Sequence, residues 1–315
     1  MTKIRHCIAL NVALGVLWAV ALSTVALAGR ESALTPEQLL ANHLKSIGDP
    51  GLLAAVQSRA FVGSSSVKFI QGMNGSMIGY ALYASKGNMT GLRVLYKDKD
   101  YTGEYLAYDG KEVSVGFMID PGQKTPLGEF LYRYNRIIKN GFLGGVLSVS
   151  WPLLHAKEGQ ADMKCQVAKI DGRDLYELDF HPKDGFGDMK IKMYFDMETC
   201  RHVMTVYKVR VRQDVSVAAG KPQSATITTN PTTNQQQMTQ YNDSDVMNTL
   251  DESYYTLTEK FGDFKPVSGM MLPHKYEIDY SLEGQGHAFI AHWDLVAKEW
   301  VVNRDLEDPI FKAQK

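Results

Sequence analysis

The sequence predicts a mainly β protein of the α+β kind, built on one antiparallel sheet long enough to curl. Three observations predict it. Roughly nine to eleven runs alternate apolar and polar residues with period two, the pattern of a strand with one dry and one wet face. Short turn-forming sequences separate these runs, so chain neighbours pair antiparallel. A capped helical pattern stands before the first of them.

The chain of 315 residues opens with a segment of its own. Lys3 and Arg5 precede the apolar run CIALNVALGVLWAVALSTV, and ALAG follows, with Ala26 and Ala28 in the A-x-A arrangement of a cleavage site. This is the pattern of a secretory signal peptide ending near Ala28. The run is near the length that spans a bilayer, so a retained anchor is the other reading. Asn11, Ser23 and Thr24 dilute it, and the small-residue ending favours removal. Gly29 stands where a lipoprotein would need cysteine. Residues 29–315 are then a single exported domain. A formal net charge of −1 with no basic run lacks the footprint of a nucleic-acid partner.

Helical signals come first. In LTPEQLLANHLKSIG, Thr35 caps, Pro36 suits the first turn and Gln38 completes a capping box. Leu39, Leu40, His43, Leu44 and Ile47 share a face, and Gly48 ends the helix. DPGLLAAVQSRA reads as a second, short helix. Strands are expected near 61–71, 77–85, 89–97, 103–109, 112–118, 163–170, 174–181, 189–196, 201–213, 252–262, 271–282 and 287–298, some of which merge. YDGK, IDGR, PKDGFGD and DMETC supply turns between them. Residues 214–245, rich in Thr, Asn, Gln and Ser, read as a long mobile polar loop. If Phe180 lies opposite Met189 and Phe195 opposite Val203, Cys165 and Cys200 fall at opposite ends of the sheet. They are then roughly 16–20 Å apart, beyond the ~7 Å a bridge allows, and no intramolecular disulfide is expected.

NGFLGGVLSVSWPLLH, residues 140–155, breaks the pattern. The fourteen residues between Asn140 and His155 carry no charge. As a helix they would reach about 21 Å, short of a ~30 Å hydrocarbon core. Apolar side chains fall on more than one helical face, so a helix here must be surrounded. Two readings stay open: plain core inside the curled sheet, or the lining of a roomy, reversibly covered hollow for an apolar ligand. The candidate ligand-binding residues are Phe142, Leu143, Val146, Leu147, Trp151 and Leu154. Gly141, Gly144 and Gly145 permit a bend or close backbone approach.

Signatures of catalysis are sparse. The sequence has no H-E-x-x-H, G-x-S-x-G, Walker A or Rossmann glycine fingerprint. GSSSV at 63–67 lacks the second glycine of a nucleophile elbow. The histidines at 43, 155, 181, 202, 274, 287 and 292 show no metal-ligand spacing, and DGRDLYELD offers carboxylates on a turn and a wet strand face. No enzyme activity, metal or cofactor is expected. Asn74, Asn88 and Asn242 stand in glycosylation sequons, which matter only in a eukaryotic secretory pathway.

The order of pieces resembles the LolA/LolB-like outer-membrane lipoprotein-sorting superfamily. The pieces are the leader, the capped helix, YFDMET (Tyr194–Thr199), FGDFKPVSGMMLP (Phe261–Pro273) and the closing NRDLEDPIF (Asn303–Phe311). The resemblance implies an unclosed β-barrel with helices covering its concave face. It implies a periplasmic carrier that shelters acyl chains of lipids or lipoproteins without catalysis, with an inner- or outer-membrane protein as a further partner. The alternative is an envelope sensor or scaffold that uses the same shell to bind a protein. This chain is longer than the classical carriers, and their lid-locking arginine matches no single position here.

Overall fold

The alternating runs assemble into a twelve-stranded antiparallel sheet in a computed structural model. It describes residues 34–155, 161–183, 186–213, 226–229, 236–239, 251–284 and 287–313. The leader lies outside these residues, as does most of 214–245. Within that polar segment, Thr226–Thr229 (β10) and Gln236–Thr239 (β11) pair as a separate hairpin.

The helical signals act as their chemistry dictates. In α1 (Pro36–Ile47) Thr35 Oγ1 accepts from the Gln38 amide at 3.2 Å, and Gln38 Oε1 accepts from the Thr35 amide at 3.0 Å. Leu39, Leu40, His43 and Ile47 face the interior. Asp49 caps the short α2 (Pro50–Ala55). The first five strands follow: β1 (Ser58–Gln71), β2 (Gly75–Lys86), β3 (Met89–Tyr96), β4 (Gly103–Tyr108) and β5 (Val113–Phe117). The sequence reading has no element between residues 118 and 140, yet α3 (Pro126–Arg133) and α4 (Arg136–Lys139) form there. The remaining strands of the sheet are β6 (Ala161–Ile170), β7 (Arg173–Pro182), β8 (Lys190–Asp196), β9 (His202–Gln213), β12 (Asp251–Val267), β13 (Met270–Gly284) and β14 (His287–Val302). A strand forms at each of the twelve expected stretches and none merge, so the sheet has one strand more than the upper end of the nine to eleven expected.

The sheet order is β5-β4-β3-β2-β1-β14-β13-β12-β9-β8-β7-β6. Consecutive strands β5 and β6 are its two edges, and they do not pair with each other. The sheet therefore stays open, and the chain between its edges covers its inner face. That the sheet is rolled follows from two contacts. In the connecting segment, Gly144 packs against Tyr83 of β2, and Phe142 meets Phe180 of β7 with ring centroids 5.7 Å apart. On a flat sheet β2 and β7 would stand about 34 Å apart, at ~4.8 Å per strand. Two residues of one segment reach both only if the sheet wraps around it.

Smaller clusters close parts of the outer face. Leu306 and Phe311, in and before a C-terminal 3₁₀ turn, pack on Ala60 and Ala84. Leu175, Tyr194 and Met204 form a second cluster. The observed register corrects the one assumed from sequence: Phe180 lies opposite Ile191, and Phe195 opposite His202, with a bulge after Tyr194. Cys165 on β6 is half-buried, Cys200 in the β8–β9 turn is buried, and both are free thiols.

Candidate functional site

Residues 118–155 form a cover over the concave face, and its two ends are anchored alike. At the first end Thr125 caps α3 through a 3.1 Å bond from the Gly128 amide. Glu104 of β4, 4% exposed, accepts from the Thr125 amide at 3.1 Å and from its hydroxyl at 2.8 Å. A side chain at Gly128 would bring Cβ to 2.0 Å from Glu104 Oε1, so this helical glycine admits the carboxylate.

The second end is the uncharged stretch. It is not a continuous helix. Gly141, Gly144 and Gly145 take φ values of +72°, +83° and +46°, a region that glycine enters without the Cβ penalty. The backbone turns at each, leaving only short 3₁₀ turns at Gly145–Leu147 and Pro152–His155. A Cβ on Gly144 would lie 2.5 Å from Tyr83 Oη, and one on Gly145 2.8 Å from Phe261. These glycines let the cover lie flat against aromatic rings of the sheet.

Five of the six candidate binding residues are sealed. Phe142, Leu143, Val146, Leu147 and Trp151 are 0–2% exposed, and Leu154 is half-buried. Side chains on the strands hold the backbone of this stretch. Arg59 Nη2 donates to Ser148 O at 2.7 Å, Tyr83 Oη to Leu143 O at 3.1 Å, and the Val149 amide to Ser85 Oγ at 3.0 Å. Burial pulls the Arg59 guanidinium down to about 10.

Glu259 of β12 is the central staple. Its carboxyl accepts from the Gly144 amide at 2.7 Å, from Tyr207 Oη at 2.9 Å, and from Tyr276 Oη. The group is fully buried, and desolvation pushes it up to about 7 against the hydrogen bonds that favour the anion. Desolvation likewise pushes Glu104 up to about 7. Tyr207 Oη also reaches Phe142 O at 3.2 Å, but it has one proton for two acceptors. It donates to the Glu259 carboxyl at 2.9 Å or to Phe142 O at 3.2 Å, one at a time.

Trp151 is clasped by two imidazoles. Its ring lies 5.3 Å from His43 of α1 and 4.7 Å from His202 of β9, with Phe195 5.2 Å from His43. His43 Nδ1 bonds Cys200 O at 3.0 Å and His202 Nε2 bonds Thr205 Oγ1 at 2.8 Å. Burial lowers His43 to about 4 and His202 well below the usual range, so both rings are neutral at ordinary pH.

Sequence reasoning placed the apolar cover residues and missed the polar ones that hold it. A signal was present. Glu104 is in phase with Leu106, Glu259 with Leu257 and Phe261, and Arg59 with Phe61. A charge on the dry phase of a strand is buried, and a buried charge needs a partner.

Of the two readings left open for 140–155, this conformation matches plain core: the buried side chains of the stretch fill the space beneath it. Three cavities lie elsewhere in the described residues, and this stretch lines none of them. One, of about 10 Å³, lies between Leu127 and strand residues such as Trp293 and Ile278, at the lower limit for one water. The second is a cleft of about 400 Å³ between α3 and the β12–β13 pair. The third, of about 780 Å³, lies beside Lys190, Lys208 and Tyr254. Elsewhere Glu277, His292 and Asp294 hold ligand atoms within 4.8 Å of one another. Lys275 Nζ, 2.8 Å from Glu277 and 3.8 Å from Asp294, already supplies a cation there.

No family model matches this chain, and no curated protein matches it. Similar solved structures exist. One is the LolA superfamily protein NE2245 from Nitrosomonas europaea, at 14% identity and a TM-score of 0.38, covering 89% of this chain and 98% of that one. Another is a putative outer membrane lipoprotein-sorting protein domain from Vibrio parahaemolyticus, at 10% identity and a TM-score of 0.40, covering 86% and 95%. A third is in the MucA/MucB complex of Pseudomonas aeruginosa, at 7% identity and a TM-score of 0.21, covering 81% and 92%. At these scores the architecture rests on the strand order and register given above.

Proposed function

We propose that this chain is an exported binding protein that shelters the acyl chain of a lipid or lipoprotein inside the rolled sheet, without catalysis. One observation carries the reading. The cover's uncharged stretch fills the inner face, yet it is attached by side-chain bonds to its backbone and pairs with no strand among the described residues. A segment held this way detaches without breaking the sheet. In the loaded state an acyl chain takes the places of Phe142, Leu143, Val146, Leu147, Trp151 and Leu154, or packs against them.

The energetics are those of solvent exchange. An acyl chain gains about 0.8 kcal/mol for each CH₂ removed from water. The displaced cover loses similar burial and its staples, so affinity is the difference of two large terms. Transfer then needs only an acceptor that buries the chain better. The leader pattern supports action in the periplasm or envelope.

A second reading, a scaffold or sensor that binds a protein partner, is favoured by the outer face. The register aligns Leu95, Tyr80, Ser64 and Val296 across β3, β2, β1 and β14. Tyr80 is 64% exposed, and Ile78 beside it 83%, an apolar row of the kind that marks interaction sites. Native mass spectrometry of protein taken from the cell envelope separates the readings. Acyl-bearing molecules that travel with the folded protein support the first. Lipid-free protein that takes up no acyl probe but carries a membrane protein overturns it in favour of the second.

A further inference from the structure

The α3 cleft has both room and cations on its rim, with Lys124 Nζ 5.1 Å from the Tyr132 ring centroid and Arg133 hydrogen-bonded to Tyr134. Its floor is aromatic. Phe130 lies 6.0 Å from Tyr255, 5.5 Å from Tyr280 and 4.9 Å from Tyr134, centroid to centroid. Its rim carries Lys124 and Arg133 against a single lining carboxylate, Glu129. Tyr280 is 1% exposed, yet its hydroxyl has no hydrogen-bond partner among the described residues. The charged and phenolic groups around that hydroxyl are Tyr255, Tyr134 and Arg133. A guanidinium has donors only, and a phenol donates readily. A buried hydroxyl left unbonded calls for an explanation. Here two cations stand on the rim of a largely apolar cleft with an unbonded hydroxyl in its floor, and its volume of about 400 Å³ lies in the ~300–1,000 Å³ range of small-molecule sites.

We infer that this cleft binds a single-chain amphiphile with an anionic head, its chain on the aromatic floor and its carboxylate or phosphate at the rim with Arg133 and Lys124, the Tyr280 hydroxyl gaining a partner where the floor opens to admit the ligand. The inference rests on the acyl-binding reading and adds the head group and the place where it is held. No residue of 140–155 lines the cleft, so its contribution separates from that of the stapled stretch. Lys124 is half-buried and Arg133 exposed, so both can be exchanged without disturbing the core.

The test titrates the full chain with an intrinsically fluorescent polyene fatty acid, the alcohol of the same chain, and the phosphate monoester of that alcohol. The acid and the ester bind about tenfold more tightly than the alcohol, the scale of one charge-assisted hydrogen bond. Lys124→Gln with Arg133→Gln removes that margin and leaves the alcohol's affinity in place. Tyr280→Phe, which deletes only the hydroxyl, narrows the margin. Whether acid or ester binds more tightly identifies the head, and either order supports the site. A margin that survives the double variant overturns the inference, as does displacement of the acid by inorganic phosphate alone, which marks a site for free anions. Equal binding of all three probes overturns the head-group assignment and leaves acyl binding standing. Binding of none overturns both.

Discussion

The two ends of the cover meet the same curved surface and fit it differently. Each is anchored by a carboxyl buried on the dry face of a strand, Glu104 under α3 and Glu259 under Gly144. Desolvation raises both to about 7. The helical end is a straight rod on a rolled sheet, and it leaves a cleft of about 400 Å³ beside Tyr255 and Tyr280. The glycine-turned end follows the curve, and its own buried side chains fill the space beneath it. Regular structure leaves room on a concave face, while irregular structure with positive-φ glycines fills it. The filled end is the candidate cover, and the gapped end is the candidate entrance.

The comparison breaks most sharply at Trp151. The indole is 0% exposed and lies between two imidazoles. Trp151→Ala empties that clasp and costs about 4 kcal/mol, the usual price of a large aromatic deleted from a core. Denaturant unfolding followed by far-ultraviolet circular dichroism measures it. A loss below about 1 kcal/mol would mean the glycine-turned end is loosely seated.

Glu259→Gln sharpens it through pH. The Glu259 carboxyl sits near 7 in the fold against 4.5 as an ordinary carboxyl. Its contribution to stability is greatest below the lower value and is lost as pH rises through the upper one. His43 runs the other way. Lowered to about 4 from 6.5, its contribution is complete above 6.5 and lost as pH falls through about 4. The parent protein therefore loses more stability than the variant between about pH 5 and about pH 8, by up to about 3 kcal/mol. Unfolding midpoints at the two pH values check this. Parallel changes in both proteins would show that Glu259 does not titrate there.

Ser85→Ala is the mildest change. It removes the acceptor of the Val149 amide and leaves the ring contacts of the cover in place. A cost of about 1–2 kcal/mol is expected for the orphaned amide, with protease nicking confined to the cover.

Much of this architecture is legible in the residues, for identifiable reasons. Strands such as KIKMYFD and KYEIDYS declare themselves because one face is dry and the other wet. Thr35, Pro36 and Gln38 announce α1 because capping is local chemistry. The missing charge between Asn140 and His155 marks the cover because a charge inside a rolled sheet needs a buried partner, and this stretch brings none of its own. The α3 helix was hidden by Gly128, which lowers helix propensity and is there to admit Glu104. The meeting of His43, Trp151 and His202 was not legible, since it joins three distant parts of the chain. The cleft was not legible either, because empty space follows from how a straight helix seats on a curved sheet.

The central claim is that residues 141–151 open while the strands of the sheet stay paired. Amide hydrogen exchange with and without a long-chain fatty acid tests it most directly. The account predicts exchange at the Gly144 and Val149 amides through a local opening, well below the free energy that releases β1 and β13, with rates that change when the acid is added. Exchange of those amides only with global unfolding, at the same free energy as the strands and indifferent to the acid, would contradict it.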